Sequence, residues 1–176
     1  FGLPASGRAQ VYAALCRQLD KPLCIVTPGE AEATRFAADL NTLGIPAAVF
    51  PARDYVLRPI EGTAREYEYR RLAVLGELVG GRLRAVAVPA EALTQFTTPK
   101  EDFCANTRTL HAGDTLLRDD LLAALFGAGY TRRAQVDGPG QFSVRGDIVD
   151  IFAPDQKMPV RMEFWGDEID TLHTFD

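Results

Sequence analysis

Residues 22–50 read PLCIVTPGEAEATRFAADLNTLGIPAAVF, and their order of patterns decides the fold. Pro22–Thr27 is a short apolar run of the kind that forms a buried strand. Thr27-Pro28-Gly29-Glu30 then places an N-cap threonine, a proline at the first helical position and a glutamate at the third, predicting a helix to about Leu43. Pro46–Phe50 is the next strand. Working outward, Arg8–Leu19 predicts a helix with Val11, Ala14, Leu15 and Leu19 on one face. Thr63-Ala-Arg-Glu66 is a second capping box, opening a helix through about Val79. Arg84–Val88 is a further strand, and Pro89 opens a short helix ending near Phe96. Apolar strands alternating with helices define an α/β domain, a parallel sheet flanked by helices. The connection Pro51–Gly62 is long for such a domain, which fits either a functional loop or a surface excursion.

After Cys104 the alternation stops. A strand at Thr107–His111 and a helix around Arg118–Ala128 are expected, then three extended segments: Gln141–Phe152, Pro159–Trp165 and Glu168–Phe175. Gly166-Asp167 suits a tight hairpin turn between the last two. The expected organisation is therefore an α/β domain over residues 1–104 and a small α+β domain with a mixed or antiparallel sheet over 105–176.

The 176 residues are 47% hydrophobic and 24% charged, ordinary for a globular chain, and no apolar run reaches the roughly 18 residues of a membrane span. The net charge of −5 is uneven: residues 1–104 carry 12 basic and 12 acidic side chains, residues 105–176 carry 7 and 12. A nucleic-acid-binding domain carries a basic footprint, and this chain has none. Cys16, Cys24 and Cys104 show no metal-ligand spacing, so idle thiols in a reducing cytoplasm are the plain expectation. The chain opens at Phe1 on a glycine-containing stretch, as a piece of a longer protein would.

Gly2-Leu-Pro-Ala-Ser-Gly7-Arg8-Ala9 has the glycine spacing of a phosphate-binding loop with its chemical residues replaced. Such a loop uses backbone N–H groups to cradle phosphates, a lysine to reach them and a hydroxyl to hold Mg²⁺. Arg8 stands at the lysine position and Ala9, which cannot ligate a metal, at the hydroxyl position. The stretch reads either as a degenerate phosphate loop or as an ordinary turn before a helix. Asp167-Glu168 falls at the hairpin turn, where a solvated pair is expected and not an Mg²⁺ site. Two histidines (His111, His173) and two serines (Ser6, Ser143) give no sign of a catalytic triad, and no GxGxxG fingerprint follows a strand.

Pro159–Trp165 alternates cleanly, with Val160, Met162 and Phe164 on one face and Arg161, Glu163 and Trp165 on the other. Pairing Phe164 with Ile169 and Met162 with Thr171 gives the first face to the core. An arginine and a tryptophan on an exposed sheet face have the composition of a binding hot spot. The alternative is a tryptophan covered by another part of a longer protein, with Arg161 paired to Glu163 or Asp170. Arg145 lies beside Gly146, which can form a bulge that re-aims it.

The segment Gln141-Phe-Ser-Val-Arg-Gly-Asp-Ile-Val-Asp-Ile-Phe152, with Val160-Arg-Met-Glu-Phe-Trp-Gly-Asp-Glu-Ile-Asp170 and Phe175-Asp176, resembles domain 2 of the UvrB homology module. The resemblance extends through Thr27-Pro28, Glu30-Ala31-Glu32 and Phe50-Pro51-Ala52-Arg53. Two families carry that module, the excision-repair protein UvrB and the bacterial transcription-repair coupling factors. Arg8, Ala9 and the stretch Asp54-Tyr-Val-Leu-Arg-Pro-Ile-Glu-Gly62 are similar to the coupling factors, whose N-terminal module comprises domains 1a and 2. The resemblance implies a P-loop-NTPase-like first domain that has lost catalysis and needs no cofactor of its own. It also implies a second domain that recruits UvrA for transcription-coupled nucleotide excision repair through Arg145, Arg161 and Trp165. The family often has phenylalanine where Trp165 stands. ATP and Mg²⁺, RNA polymerase and DNA would engage other domains of the longer protein, and a distal domain would mask the UvrA-binding face. A fragment of a UvrB-like ATP-dependent helicase subunit is the alternative.

Overall fold

The computed structural model describes residues 2–53 and 63–176, so the stretch Asp54–Gly62 compared with the coupling factors above lies outside the described residues. Two compact units divide the chain after Thr97, the first Phe1–Thr97 and the second Thr98–Asp176.

The first unit runs α1 (Ala5–Gln18), β1 (Leu23–Thr27), α2 (Glu30–Thr42), β2 (Ala47–Val49), α3 (Thr63–Val79), β3 (Ala85–Pro89) and α4 (Ala90–Leu93). Its three strands are parallel in the order β1-β3-β2. The central strand β3, Ala-Val-Ala-Val-Pro, is buried at every position. Its alternation sorts the layers: Ala85 and Ala87 face α1 and α2, with Leu40, Phe36 and Cys16, while Val86 and Val88 face Val74 of α3 and Ala92 of α4. Helices on both faces keep the central strand dry, as parallel sheets require, whereas Cys24 and Val26 of the edge strand β1 are exposed.

Two local expectations change. Helix α2 begins at Glu30 with Gly29 at its N-cap, because Thr27 still belongs to β1 and its hydroxyl donates to the Gly29 carbonyl at 3.0 Å. In α1 the buried face is Ala9, Ala13 and Cys16, and the expected face of Val11, Leu15 and Leu19 is exposed. Close approach of α1 to α2 needs small side chains, while Tyr12 fills the remaining space edge-on to Phe36 at 5.6 Å.

The second unit runs α5 (Lys100–Ala105), α6 (Arg118–Gly127), β4 (Thr131–Arg132), β5 (Gln141–Arg145), β6 (Ile148–Phe152), β7 (Val160–Trp165) and β8 (Glu168–Thr174). The five strands lie in sequence order; β4 is parallel to β5 and every other pair is antiparallel. Thr107–His111 is not a strand; the segment's sheet contact comes later, a single bridge from Thr115 to Glu168. Gln141–Phe152 is not one extended segment but the hairpin β5–β6, turning at Gly146-Asp147. Gly146 and Gly166 have φ of +61° and +62°, and no non-glycine described residue has positive φ. Both Gly-Asp turns therefore have the left-handed residue first, as type II′ hairpins do.

One face of this sheet is covered. Phe142, Val149, Met162, Phe164 and Ile169 pack with Leu121 and Leu125 of α6, and Phe126 meets Phe142 edge-on at 5.0 Å. Phe142 is fully buried at the centre of this core. Phe142→Ala is expected to destabilise the second unit by about 3–5 kcal/mol, measured as a shift in its urea unfolding midpoint.

Candidate functional site

The other face of the second sheet carries the chemistry. Cross-strand register places Ser143, Asp150, Arg161 and His173 in one row, and Arg145, Ile148, Glu163 and Thr171 in the next. Trp165 closes the end of β7 opposite Glu168. Arg145 and Arg161 thus share a face two strands and one row apart, about 12 Å at ordinary strand spacing and rise.

Arg161 is held tightly. Its Nε donates to Asp150 Oδ1 at 2.7 Å and its Nη2 to Asp150 Oδ2 at 2.9 Å, a two-point pair across adjacent strands. Asp150 is only 4% exposed, and Ser143, which is buried beside it, donates its hydroxyl to Oδ2 at 3.3 Å. The guanidinium also lies over the Phe175 ring, 4.8 Å from its centroid. The hydrogen bond to Asp150 and that carboxylate's charge push the Arg161 pKa further above its ordinary value, so the group is cationic at every working pH. Its partner is thus neither Glu163 nor Asp170. Arg145 is exposed, and Nη2 donates to the Ala134 carbonyl at 3.0 Å. Gly146 re-aims nothing by a bulge; it turns the hairpin directly after Arg145.

Trp165 is 82% exposed. A large indole left in water on an otherwise folded sheet is an exception that calls for an explanation, since its area is the kind interfaces bury. The β7–β8 pairing places Met162 opposite Leu172 and not Thr171, because the register shifts between Glu163 and Phe164.

Gly2, Gly7, Arg8 and Ala9 do not form a phosphate cradle. The stretch that would wrap a phosphate is the first turn of α1, where the Gly7 and Arg8 amides both donate to the Pro4 carbonyl, at 2.9 and 3.2 Å. Arg8 Nε donates to the Leu3 carbonyl at 3.3 Å and its Nη1 lies 3.9 Å from Glu32. Ala9 is buried, and a Cβ at Gly2 would meet nothing. These residues do not fit a triphosphate held as phosphate loops hold one, because the Gly7 and Arg8 amides are already used, and arginine and alanine stand at the lysine and hydroxyl positions. Among the described residues no group of three or more His, Cys, Asp or Glu side chains is placed to hold a metal.

Two constellations escaped the sequence reading. Asp150 with Ser143 is one; the signal was an aspartate flanked by Val149 and Ile151, which becomes informative once β5–β6 is recognised as a hairpin. The other is buried Arg71 in the first unit, over the Phe50 ring at 4.1 Å, donating to the Pro51 carbonyl (2.8 Å) and Thr97 Oγ1 (2.8 Å). Gln95 works beside it, accepting from the Arg53 amide at 2.6 Å and donating to the Arg53 carbonyl at 3.0 Å. Nothing in the helical pattern of α3 distinguishes Arg71 from its exposed neighbour Arg70.

Residues 109–176, which build the small mixed sheet with one helix-covered face and one arginine- and aromatic-bearing open face, match the family described as UvrB interaction domain. The whole length of the chain also aligns with larger proteins. The transcription-repair-coupling factor of Mycobacterium tuberculosis is 38% identical over 98% of this chain and 14% of its own length. The Bacillus subtilis transcription-repair-coupling factor is 29% identical over 99% of the chain and 15% of its own length. UvrABC system protein B of Chlorobium limicola is 28% identical over all of the chain and 28% of its own length. The chain spans about one-seventh of the coupling factors it matches.

Because Trp165 touches so little of its own fold, Trp165→Ala is expected to leave stability within about 0.5 kcal/mol. Asp150→Ala, which strands the Ser143 hydroxyl and Arg161, is expected to lower the urea midpoint clearly, and the two variants run side by side make the comparison.

Proposed function

We propose that this chain is the UvrA-docking part of a transcription-repair-coupling factor, a non-catalytic module that brings excision repair to a stalled RNA polymerase. The observation that carries the reading is the open sheet face of a UvrB interaction domain, where one strand carries a fixed arginine and, four residues on, an almost fully exposed tryptophan. Arginine grips carboxylates in a bidentate fork, and aromatics supply buried area at little entropic cost. Arg145, Arg161 and Trp165 are the contact residues in this reading. RNA polymerase, DNA, and ATP hydrolysis with Mg²⁺ belong to other segments of a longer cytoplasmic protein. No described helix is long and apolar enough to cross a membrane.

The alignment with UvrABC system protein B along the whole chain favours a second reading, a piece of an ATP-dependent helicase subunit. The amides of Gly7 and Arg8, both bonded to Pro4, speak for the first. Nucleotide binding separates the two: no Mg-ATP binding to this chain is expected at millimolar nucleotide, and saturable binding abolished by Gly7→Asp would reverse the choice.

Docking is tested by equilibrium binding to UvrA. Arg145→Ala and Trp165→Ala are each expected to cost on the order of 2 kcal/mol, roughly thirtyfold in affinity, with folding intact. Full-strength binding by both variants would move the contact elsewhere, and no wild-type binding at micromolar concentration would remove the docking reading.

A further inference from the structure

Resting on that docking reading, we propose that Asp150 and Phe175 are positioning residues that hold Arg161 with its outer edge set to receive a carboxylate of the docked partner. A guanidinium has two edges that match a carboxylate, one formed by Nε and Nη2, the other by Nη1 and Nη2. Asp150 occupies the first edge with both oxygens. Phe175 covers a face of the plane. Among the described residues the second edge has no hydrogen-bonded acceptor, and only the charge of Glu163, in the next row of the same face, acts on the cation besides Asp150.

Burial is graded in the direction this role needs. Ser143 and Asp150 are buried, while the Arg161 side chain remains 31% exposed. The anchoring half of the pair is inside the sheet surface and the cation is at its boundary. An unrestrained arginine loses several rotatable bonds' freedom when a partner captures it, and that loss weakens binding. An arginine pinned at one edge and one face has lost that freedom before the partner arrives. The partner's chemistry follows: a carboxylate side chain meeting Arg161 end-on, flanked by area to cover Trp165.

Phe175 is the cleaner handle, because it lies just beyond β8 and outside the buried core. Wild type, Phe175→Leu, Phe175→Tyr and Asp150→Asn are compared for UvrA binding, each also in the Arg161→Ala background. Phe175→Leu is expected to weaken binding roughly three- to tenfold, mostly through faster dissociation. Phe175→Tyr keeps a ring under the cation and should stay within about twofold of wild type. Leucine would satisfy a merely apolar contact, so the difference between the two variants reports the cation. In the Arg161→Ala background, Phe175→Leu should cost nothing further. The Arg161 Nε–H resonance should be sharp in the free wild-type protein and broadened in Phe175→Leu.

Equal losses from Phe175→Leu with and without Arg161, or no loss in either, would overturn the positioning role while leaving docking intact. A sharp Nε–H signal in Phe175→Leu would overturn it as well. Absent wild-type binding would overturn docking, and this role with it.

Discussion

A carboxylate shut away from water must find a cation and hydrogen-bond donors at close range, or its desolvation is uncompensated. Asp150 meets that demand across two strands, from Arg161 on β7 and Ser143 on β5. The demand fixes more than a pair. It ties the three central strands of the second sheet together on the face that has no helix, while Phe142, Val149 and Met162 tie the same strands on the face that has one. An open sheet face with only solvated side chains would leave register to the core side alone. Here the polar row and the apolar layer agree on the same alignment, and agreement between levels is what makes a register unique.

The first unit solves a different problem. Its central strand must be dry on both sides, and it manages this by alternating alanine with valine. The alanine side leaves room for Phe36 and Leu40 of α2 and Cys16 of α1; the valine side packs against Val74 of α3 and Ala92 of α4. The buried Arg71 is an addition to this plan, spanning from Pro51 to Thr97 so that two irregular stretches share one anchor. With Gly7 and Arg8 wound into α1, the glycine spacing that invites a nucleotide-binding interpretation is spent on helix geometry.

What the sequence reveals depends on whether a pattern is local. The strands around Cys24, Ala48 and Val86, helix α3 and the hairpin at Gly166 are legible because caps, alternation and turn residues lie within a few positions of one another. Arg161 and Trp165 are legible as a face for the same reason. Asp150 is not, since its meaning depends on a residue eleven positions away that becomes a neighbour only when two hairpins have formed. The buried side of α1 is misread because hydrophobicity favours Val11 and Leu15, whereas the space available favours Ala9 and Ala13. Size decided what greasiness could not.

The register shift between Glu163 and Phe164 inserts one residue into β8, at Asp170. Ile169 and Leu172 both turn inward although they are three apart, so the parity of the strand reverses midway. His173 and Phe175 consequently point to the same side as Arg161. Had β8 kept a regular pleat after Ile169, the ring that lies against the guanidinium would point into the apolar layer instead. The aromatic partner of Arg161 is therefore set by counting as much as by chemistry: the one extra residue at Asp170, and not the ring's own preference, decides which side of the sheet Phe175 takes.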